Sequence, residues 1–291
     1  MFDKVYIVEK LNGKKDPNVA KAVHEIRRGV KLANGPARTK QYTIAKTISK
    51  RTEIDQQTLI IAVGGDGTML QAMKLAAKYD ATAYGINLGN LGFLTEETYK
   101  AGLIDLLASA IPYLLEAHPN SFKVEHRSII SLMGTNRIAV NEFSIFREEP
   151  DSMVYYNIIV DGMNAGFHRA NSLLISTPTG STAYSLSAGG ALLIPNLNVM
   201  QIVPVAPFTL TSRPILVSGN STIELKAWGG NVQVKSDGAT IDGKRNATKQ
   251  KPYNASFTSD KSAKVLTRHN QQFFSKLTQK LGWIDHWERI K

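Results

Sequence analysis

One carboxylate set among three glycines is where this sequence concentrates its chemistry: Gly64-Gly65-Asp66-Gly67-Thr68. The apolar run before it, Leu59-Ile60-Ile61-Ala62-Val63, reads as a strand buried on both faces. After it, Met69, Leu70, Met73, Ala76 and Ala77 recur at helical spacing, with Thr68 as the expected cap. A strand, a glycine turn and a helix start form an anion site, because free N–H groups and the positive end of the helix dipole face the turn. An acidic residue inside such a turn is out of place if anion binding is the only task. Asp66 therefore points to proton abstraction from a hydroxyl, or to a magnesium ion, beside phosphates. A tight turn with Asp66 as a plain capping residue remains the other reading.

A second stretch is dense in hydroxyls: Thr177-Pro178-Thr179-Gly180-Ser181-Thr182-Ala183-Tyr184-Ser185-Leu186-Ser187-Ala188-Gly189-Gly190. Many neutral donors and acceptors beside an aromatic face suit a nucleoside. A Ser/Thr-capped helix with a core tyrosine is the alternative. Val140-Asn141-Glu142-Phe143 puts two adjacent polar residues into an apolar strand, where at least one must be buried and bonded. That pair could bond ribose hydroxyls and a base edge, or simply brace a loop. The six histidines show no paired metal-ligand spacing, and no P-loop or Gly-x-Ser-x-Gly elbow occurs. No protein metal ligand is expected.

The elements that would position these residues alternate in the first part of the chain. A strand is predicted over 5–8, a helix over 18–32 stopped by Asn34-Gly35-Pro36, and a short strand and helix over 42–56. The central strand, glycine turn and helix come next, then a strand over 83–87. It runs into a second glycine-rich loop, Leu88-Gly89-Asn90-Leu91-Gly92-Phe93-Leu94-Thr95, and a helix over 99–115 closes the unit. Alternation of this kind predicts a parallel sheet with ligands at the carboxyl ends of its strands. Both glycine loops fall at that edge.

After residue 117 the texture becomes β-rich, with strands expected over 128–133, 138–146, 155–160, 173–176, 201–205, 214–217, 221–227 and 232–235. One short helix starts near Ser181. An amphipathic helix over 270–281 (Phe273, Phe274, Leu277, Leu281) is expected to pack back on the first domain. The expected organisation is an α/β N-terminal domain, Rossmann-like with a parallel sheet, over 1–117 with the tail 266–291, plus a mostly β C-terminal domain over 118–265.

The composition is that of a globular protein, with no run of about 18 apolar residues to cross a membrane. The chain enters its first strand without a signal-peptide pattern and carries no cysteine, which excludes thiolate catalysis and fits a cytoplasmic setting. Net charge is 35 − 24 = +11. The richest basic stretches, 10–15 and 244–251, read as solvated loops without the interleaved aromatics of a single-strand nucleic-acid platform. A solvated surface is the favoured reading of this charge and phosphate-rich small ligands come second; neither nucleic acid nor membrane is expected as a partner.

Taken in order, Gly64 to Thr68, the Gly85-Ile86-Asn87 to Thr95 loop, Asn141-Glu142 and Thr177 to Gly190 resemble the NAD kinases, of the bacterial type. The resemblance runs over about 59–283 and includes Ser212-Arg213-Pro214, Ser236-Asp237-Gly238 and Lys280-Leu281-Gly282-Trp283. The first motif alone is shared with diacylglycerol, sphingoid and phosphofructo-kinases. What the resemblance implies is Mg-dependent transfer of the terminal phosphoryl group of ATP, or of polyphosphate, to the adenosine 2′-hydroxyl of NAD, by a homo-oligomer (dimer or tetramer).

Carried over motif by motif, Asp66 is the general base, and Gly64, Gly65, Gly67 and Thr68 cradle donor phosphates. Phe93 sits by the adenine, and Asn141 and Glu142 hold ribose and polar edges. Thr179, Thr182, Ala183, Tyr184 and Ser187 line the dinucleotide pocket, with Arg169 near its phosphates. Magnesium is held mainly through the donor phosphates.

Three positions depart from the family pattern. Asn171 stands where an aspartate facing the nicotinamide is usual, Leu88 where an arginine is common, and Phe208 where a histidine is usual. A lipid or small-alcohol kinase sharing only the Gly64 to Thr68 turn, and a catalytically weak dinucleotide sensor, are the competing readings.

Overall fold

The computed structural model describes residues 2–10, 16–34, 43–44, 54–89, 92–117, 120–149, 152–269 and 273–282. Most of the strand and helix expected over 42–56 lies outside them, as do the basic loop residues 11–15, the Gly35-Pro36 stop, Asn90-Leu91, His118, His286 and Trp283.

In chain order the elements begin with β1 (Lys4–Glu9), α1 (Pro17–Ala33), β2 (Thr43–Ile44), β3 (Thr58–Val63), α2 (Asp66–Tyr79), β4 (Thr82–Asn87), β5 (Glu97–Thr98), a 3-10 turn (Ala101–Leu106) and α3 (Leu107–Glu116). Strands β6 (Phe122–Leu132), β7 (Arg137–Ala139), β8 (Glu142–Arg147), β9 (Val154–Val160) and β10 (Met163–Ser176) follow, then a 3-10 turn (Thr179–Thr182) and α4 (Tyr184–Ser187). The remaining described elements are β11 (Val199–Pro207), β12 (Ile215–Ser218), β13 (Ile223–Trp228), β14 (Gly230–Ser236), β15 (Ala239–Ala247), β16 (Tyr253–Arg268) and α5 (Phe273–Leu281).

The chain forms two compact units, Met1–His126 with Ala263–Lys291, and Arg127–Ser262. The first is the expected α/β unit with parallel strands. β2, β1, β3 and β4 lie side by side, all parallel, and β5 and the end of β16 follow β4, also parallel. β3 and β4 are buried at every position, which is why they read as unbroken apolar runs rather than alternating ones. Helix α1 starts where Asp16 accepts from the Asn18 N–H at 3.0 Å with Pro17 at the first helical position, one residue before the sequence expectation. It packs with α3 on the face of Leu59, Ile61, Val63, Tyr84 and Ile86. The opposite face takes α2, and Gly85 leaves the space for it: a Cβ there would lie 3.1 Å from the Met69 sulfur.

The single helix expected over 99–115 is divided between the 3-10 turn and α3, with Glu97–Thr98 first adding a short strand. Pro112 is tolerated near the middle of α3.

The second unit is antiparallel, with its described strands in the order β15-β14-β8-β10-β9-β13-β16. β10 exchanges neighbours along its length: β9 flanks it over Met163–Ala170 and β8 over Ser172–Ser176, while β11 runs along its other edge. The buried face carries Phe143, Ile145, Leu173, Ile175, Val232 and Val234 in one cluster with Leu225 and Phe257, and the Phe143 and Phe257 rings stand 5.2 Å apart.

Two corrections fall here. The strand expected over 138–146 is two strands, because Val140 and Asn141 form a bend between β7 and β8. Residues 244–247, read as part of a solvated loop, belong to β15.

Candidate active site

The first candidate cluster lies in the α/β unit at the carboxyl ends of β3 and β4. Gly64 donates its N–H to the Ile86 carbonyl at 2.9 Å and adopts φ +155°, and a Cβ there would lie 2.4 Å from Thr68 Oγ1. Only glycine closes this turn without displacing Thr68. Gly65 and Gly67 differ: a Cβ at either would meet nothing within 4 Å. Their lack of side chains serves open space over the first turn of α2, where a ligand phosphate could approach the backbone N–H groups.

α2 begins at Asp66, with Gly65 at the cap position and no side-chain cap bond. Thr68 is therefore not the cap, contrary to expectation; it is buried in the first turn. Asp66 is not a capping residue either. Its carboxylate reaches the second glycine loop, accepting from Phe93 N at 2.9 Å through Oδ2 and from Leu94 N at 3.0 Å through Oδ1. Gly92 makes this approach possible, since a Cβ there would lie 2.2 Å from Asp66 Oδ1. Two backbone bonds, one to each oxygen, fix the orientation of the carboxylate and where its remaining lone pairs point. The two glycine loops that the sequence places at one sheet edge are thus joined through one carboxylate.

Leu88, one of the departures, packs half-buried against the core of this unit.

The second cluster lies in the antiparallel unit. The bend at Val140 and Asn141 is tied to the end of β10: Thr177 N donates to the Asn141 carbonyl at 2.9 Å and Thr177 Oγ1 to the Val140 carbonyl at 2.6 Å. Thr177 Oγ1 also accepts from Gly180 N at 3.0 Å. Gly180 packs so closely that a Cβ would lie 2.2 Å from the Asn141 carbonyl oxygen. From the far side Asp237 accepts from Val140 N at 3.1 Å, Asn141 N at 2.7 Å and Glu142 N at 3.3 Å, and its own N–H donates to the Glu142 carbonyl at 3.0 Å. Asn141, Glu142 and the turn carrying Thr179 and Thr182 are therefore one bonded construction.

Glu142 is 6% exposed, and its Oε2 has no hydrogen-bond partner. Burial first, and the neighbouring Asp237 carboxylate second, push its pKa up to about 7. Thr179 Oγ1 is likewise buried without a partner. Unsatisfied buried polar atoms are uncommon, and two of them fall on the loops that read as a nucleoside site.

Tyr184 is 46% exposed, which removes the core-tyrosine alternative. The helix it begins is a single turn, Tyr184–Ser187, so its neighbours Thr182 and Ala183 are half-buried and Ser187 is exposed. The internal bonding of this turn falls to Ser185, whose hydroxyl accepts from Gln201 Nε2 at 2.9 Å.

Arg169 and Asn171 stand apart. Among the described residues no hydrogen bond ties either side chain to the 140–142 bend or the 179–187 turn. Arg169 stacks its guanidinium 3.4 Å from the Phe208 ring centroid, and Phe208 N donates to the Arg169 carbonyl at 2.9 Å. Two departures from the family pattern thereby receive a place: Phe208 covers Arg169, and Asn171 is exposed where β10 changes partners.

Two residues of these clusters were not singled out for a role in the sequence. Asp237 had a signal, the Asp-Gly dipeptide of a tight hairpin between β14 and β15, with Asp237 at φ +47° and Gly238 at φ +79°. Lys276 had none. It lies on α5 and bonds the second glycine loop, donating to the carbonyls of Phe93 at 3.1 Å and Thr95 at 2.9 Å.

The fold is shared with two solved kinases. It is similar to a solved NAD kinase from Archaeoglobus fulgidus in complex with ATP (TM-score 0.68, 23% identity, 97% of this chain and 99% of that one). It is also similar to yeast NADH kinase complexed with NADH (TM-score 0.72, 18% identity, 98% and 89%).

In sequence, residues 13–110 match the ATP-NAD kinase N-terminal domain and residues 140–266 the ATP-NAD kinase C-terminal domain. The NAD kinase of Colwellia psychrerythraea is 38% identical over 248 residues, covering 80% of this chain and 79% of that protein. That of Shewanella woodyi is 35% identical over 246 residues, covering 79% and 78%. The chain belongs to the NAD kinase family. These matches reach across both units, far beyond the Gly64 to Thr68 turn that other kinases share.

Proposed function

We propose that this protein makes NADP by transferring the terminal phosphoryl group of ATP or polyphosphate to the adenosine 2′-hydroxyl of NAD, with Asp66 as general base. The observation that carries the reading is the Asp66 carboxylate itself, bonded by Phe93 N and Leu94 N at the start of α2. In this reading Gly64, Gly65, Gly67 and Thr68 form the cradle for donor phosphates, with Gly64 and Thr68 holding its shape and the open backbone at Gly65 and Gly67 facing the phosphates. Asp66 takes the hydroxyl proton as the new O–P bond forms and the bond to the leaving phosphate oxygen breaks. Phosphoryl transfer asks the protein for positioning and charge rather than covalent chemistry, which is what a fixed carboxylate beside a phosphate cradle supplies.

The antiparallel unit would hold the dinucleotide. Asn141 and Glu142 would bond ribose and polar edges, and Thr179, Thr182, Ala183, Tyr184 and Ser187 would line the pocket, with Arg169 near the dinucleotide phosphates and Phe93 by the adenine. The unpartnered oxygens of Glu142 and Thr179 support that assignment.

Magnesium would arrive with the donor phosphates as part of the substrate. Among the described residues no group of three His, Cys, Asp or Glu side chains is placed to hold a metal ion. The ion would supply charge neutralisation on the transferring phosphate. A homo-oligomeric, cytoplasmic enzyme is part of the same proposal; among the described residues no helix is long and apolar enough to cross a membrane.

The test is a coupled assay for NADP from NAD, with ATP and then polyphosphate as donor, with and without magnesium. Asp66→Asn should retain NAD binding and lose turnover by about 10²–10⁴-fold. Absence of NADP from both donors, with NAD still binding in calorimetry, would overturn the kinase reading.

A further inference from the structure

We propose that Lys276 is a positioning residue for the Asp66 carboxylate, acting through the peptide that joins Phe93 to Leu94; the inference rests on the role given to Asp66 above. The geometry is a three-part chain. Lys276 Nζ donates to the Phe93 carbonyl at 3.1 Å. That carbonyl and the Leu94 N–H belong to one planar peptide group, and the Leu94 N–H donates to Asp66 Oδ1 at 3.0 Å. A cation on one side of the peptide and an anion on the other polarise it in the same sense, which strengthens both bonds.

The grip is not confined to one contact. Lys276 Nζ also donates to the Thr95 carbonyl at 2.9 Å and lies 3.6 Å from Glu96 Oε1, with the two side chains only 12% and 4% exposed. Glu96 is itself fixed, its N–H donating to the Gly85 carbonyl at 2.9 Å and its Oε2 accepting from Arg268 N at 3.2 Å. One helical turn further on, Lys280 places its ammonium 4.4 Å from the Phe93 ring centroid. Buried Leu277 anchors the helix between the two lysines. A shielded ammonium held by two carbonyls and a carboxylate has a defined position, unlike a solvated surface lysine. The last described helix of the chain thus sets the segment that holds the catalytic carboxylate.

Lys276→Met keeps the unbranched stem, one atom shorter, and removes the charge. Its kcat should fall on the order of tenfold to a hundredfold, as expected for misplacing a catalytic group by a fraction of an ångström to an ångström, with KM for NAD nearly unchanged. In Lys276→Ala, added methylammonium should restore part of kcat in a saturable way. Independently of activity, amide hydrogen exchange of Leu94 should speed up in Lys276→Met while the β3 amides keep their protection.

Wild-type kcat together with unchanged Leu94 exchange would overturn the proposal. So would a loss of activity with uniformly faster exchange across the α/β unit and no amine rescue, because that pattern is general destabilisation. If the wild-type protein makes no NADP, the kinase reading fails, and the exchange measurement alone decides whether Lys276 holds the Asp66 loop.

Discussion

Asp237 Oδ1 lies 2.7 Å from the backbone nitrogen of Asn141, across ninety-six positions of sequence. The same carboxylate takes the N–H groups on either side of it, at Val140 and Glu142. A bend whose peptides converge on one anion has its shape set by that anion, as in other backbone anion nests.

Asp237→Ala should therefore release the Asn141-Glu142 bend. We expect a loss of about 3 kcal/mol in stability, from charge-assisted bonds left unmade. The Kd for NAD should rise at least about tenfold, corresponding to roughly 1.4 kcal/mol, while the KM of the phosphoryl donor stays put. Calorimetry with NAD checks this, and an unchanged Kd would show that the bend holds itself.

Gly92→Ala tests the approach of the two glycine loops. The added methyl would sit 2.2 Å from Asp66 Oδ1 and 2.5 Å from Thr95 Oγ1, so either the loop or the carboxylate must move. Turnover should fall by about 10²-fold, since a displacement near 1 Å is enough for such a loss. Thermal stability should fall by no more than about 3 kcal/mol, the usual upper range for overpacking. Near wild-type kcat would mean that the Phe93 and Leu94 contacts do not matter to the reaction.

The pKa of about 7 at Glu142 carries a sign that differs from the usual carboxylate. The folded state holds this proton more tightly than the unfolded chain, whose value is near 4.5. Between those values only the folded state is protonated, so stability falls as pH rises from about 4.5 to 7, by about 3 kcal/mol at most. Urea unfolding at pH 5 and pH 8 should show this decline in the wild type and lose that contribution in Glu142→Gln. Equal pH slopes for the two proteins would refute the raised pKa.

Asn171 is exposed on β10, where the family resemblance implies an aspartate. Restoring the carboxylate with Asn171→Asp should favour the dinucleotide with a cationic nicotinamide ring. At an exposed site the gain is about 1 kcal/mol or less, a severalfold rise in the preference for NAD over NADH. Competition kinetics measure the ratio directly. If it does not move, this position is not what reads the charge of the ring.

Much of this arrangement is legible in the residues because the signals are local. β3 and β4 announce themselves as unbroken apolar runs, and glycines sit where the backbone must pass close to Thr68 and Asp66. β16 is harder to see. Its buried alternation at Tyr253, Ala255 and Phe257 is interrupted by Ser259-Asp260-Lys261-Ser262, an exposed or half-exposed run that reads as a loop. β15 is similarly obscured by Asp242, Lys244, Arg245 and Asn246, which carry no apolar period.

At the candidate site, Asp66 and Asn141-Glu142 stand out by type and neighbours. The partners that fix them do not. Asp237 and Lys276 act on backbone atoms far away in sequence, and a bond to a peptide group leaves no mark on the identity of the residue that receives it. The start of α2 shows the same limit. Thr68 has the chemistry of a cap, but the backbone at Gly65 starts the helix without one.

The α/β unit is closed by residues 263 onward, after the entire stretch 127–262 has formed the other unit. On the ribosome, where the chain emerges from its N-terminus, the Gly64 to Thr68 turn is made early but waits. Until β16 arrives, the edge of β4 at Thr82 and Ala83 has no strand beside it, and the loop that bonds Asp66 has no Lys276. A nascent chain halted near residue 262 would carry the antiparallel unit in full and an open-edged parallel sheet, the kind of intermediate that chaperones attend. Catalytic competence would then wait for residues 263 onward.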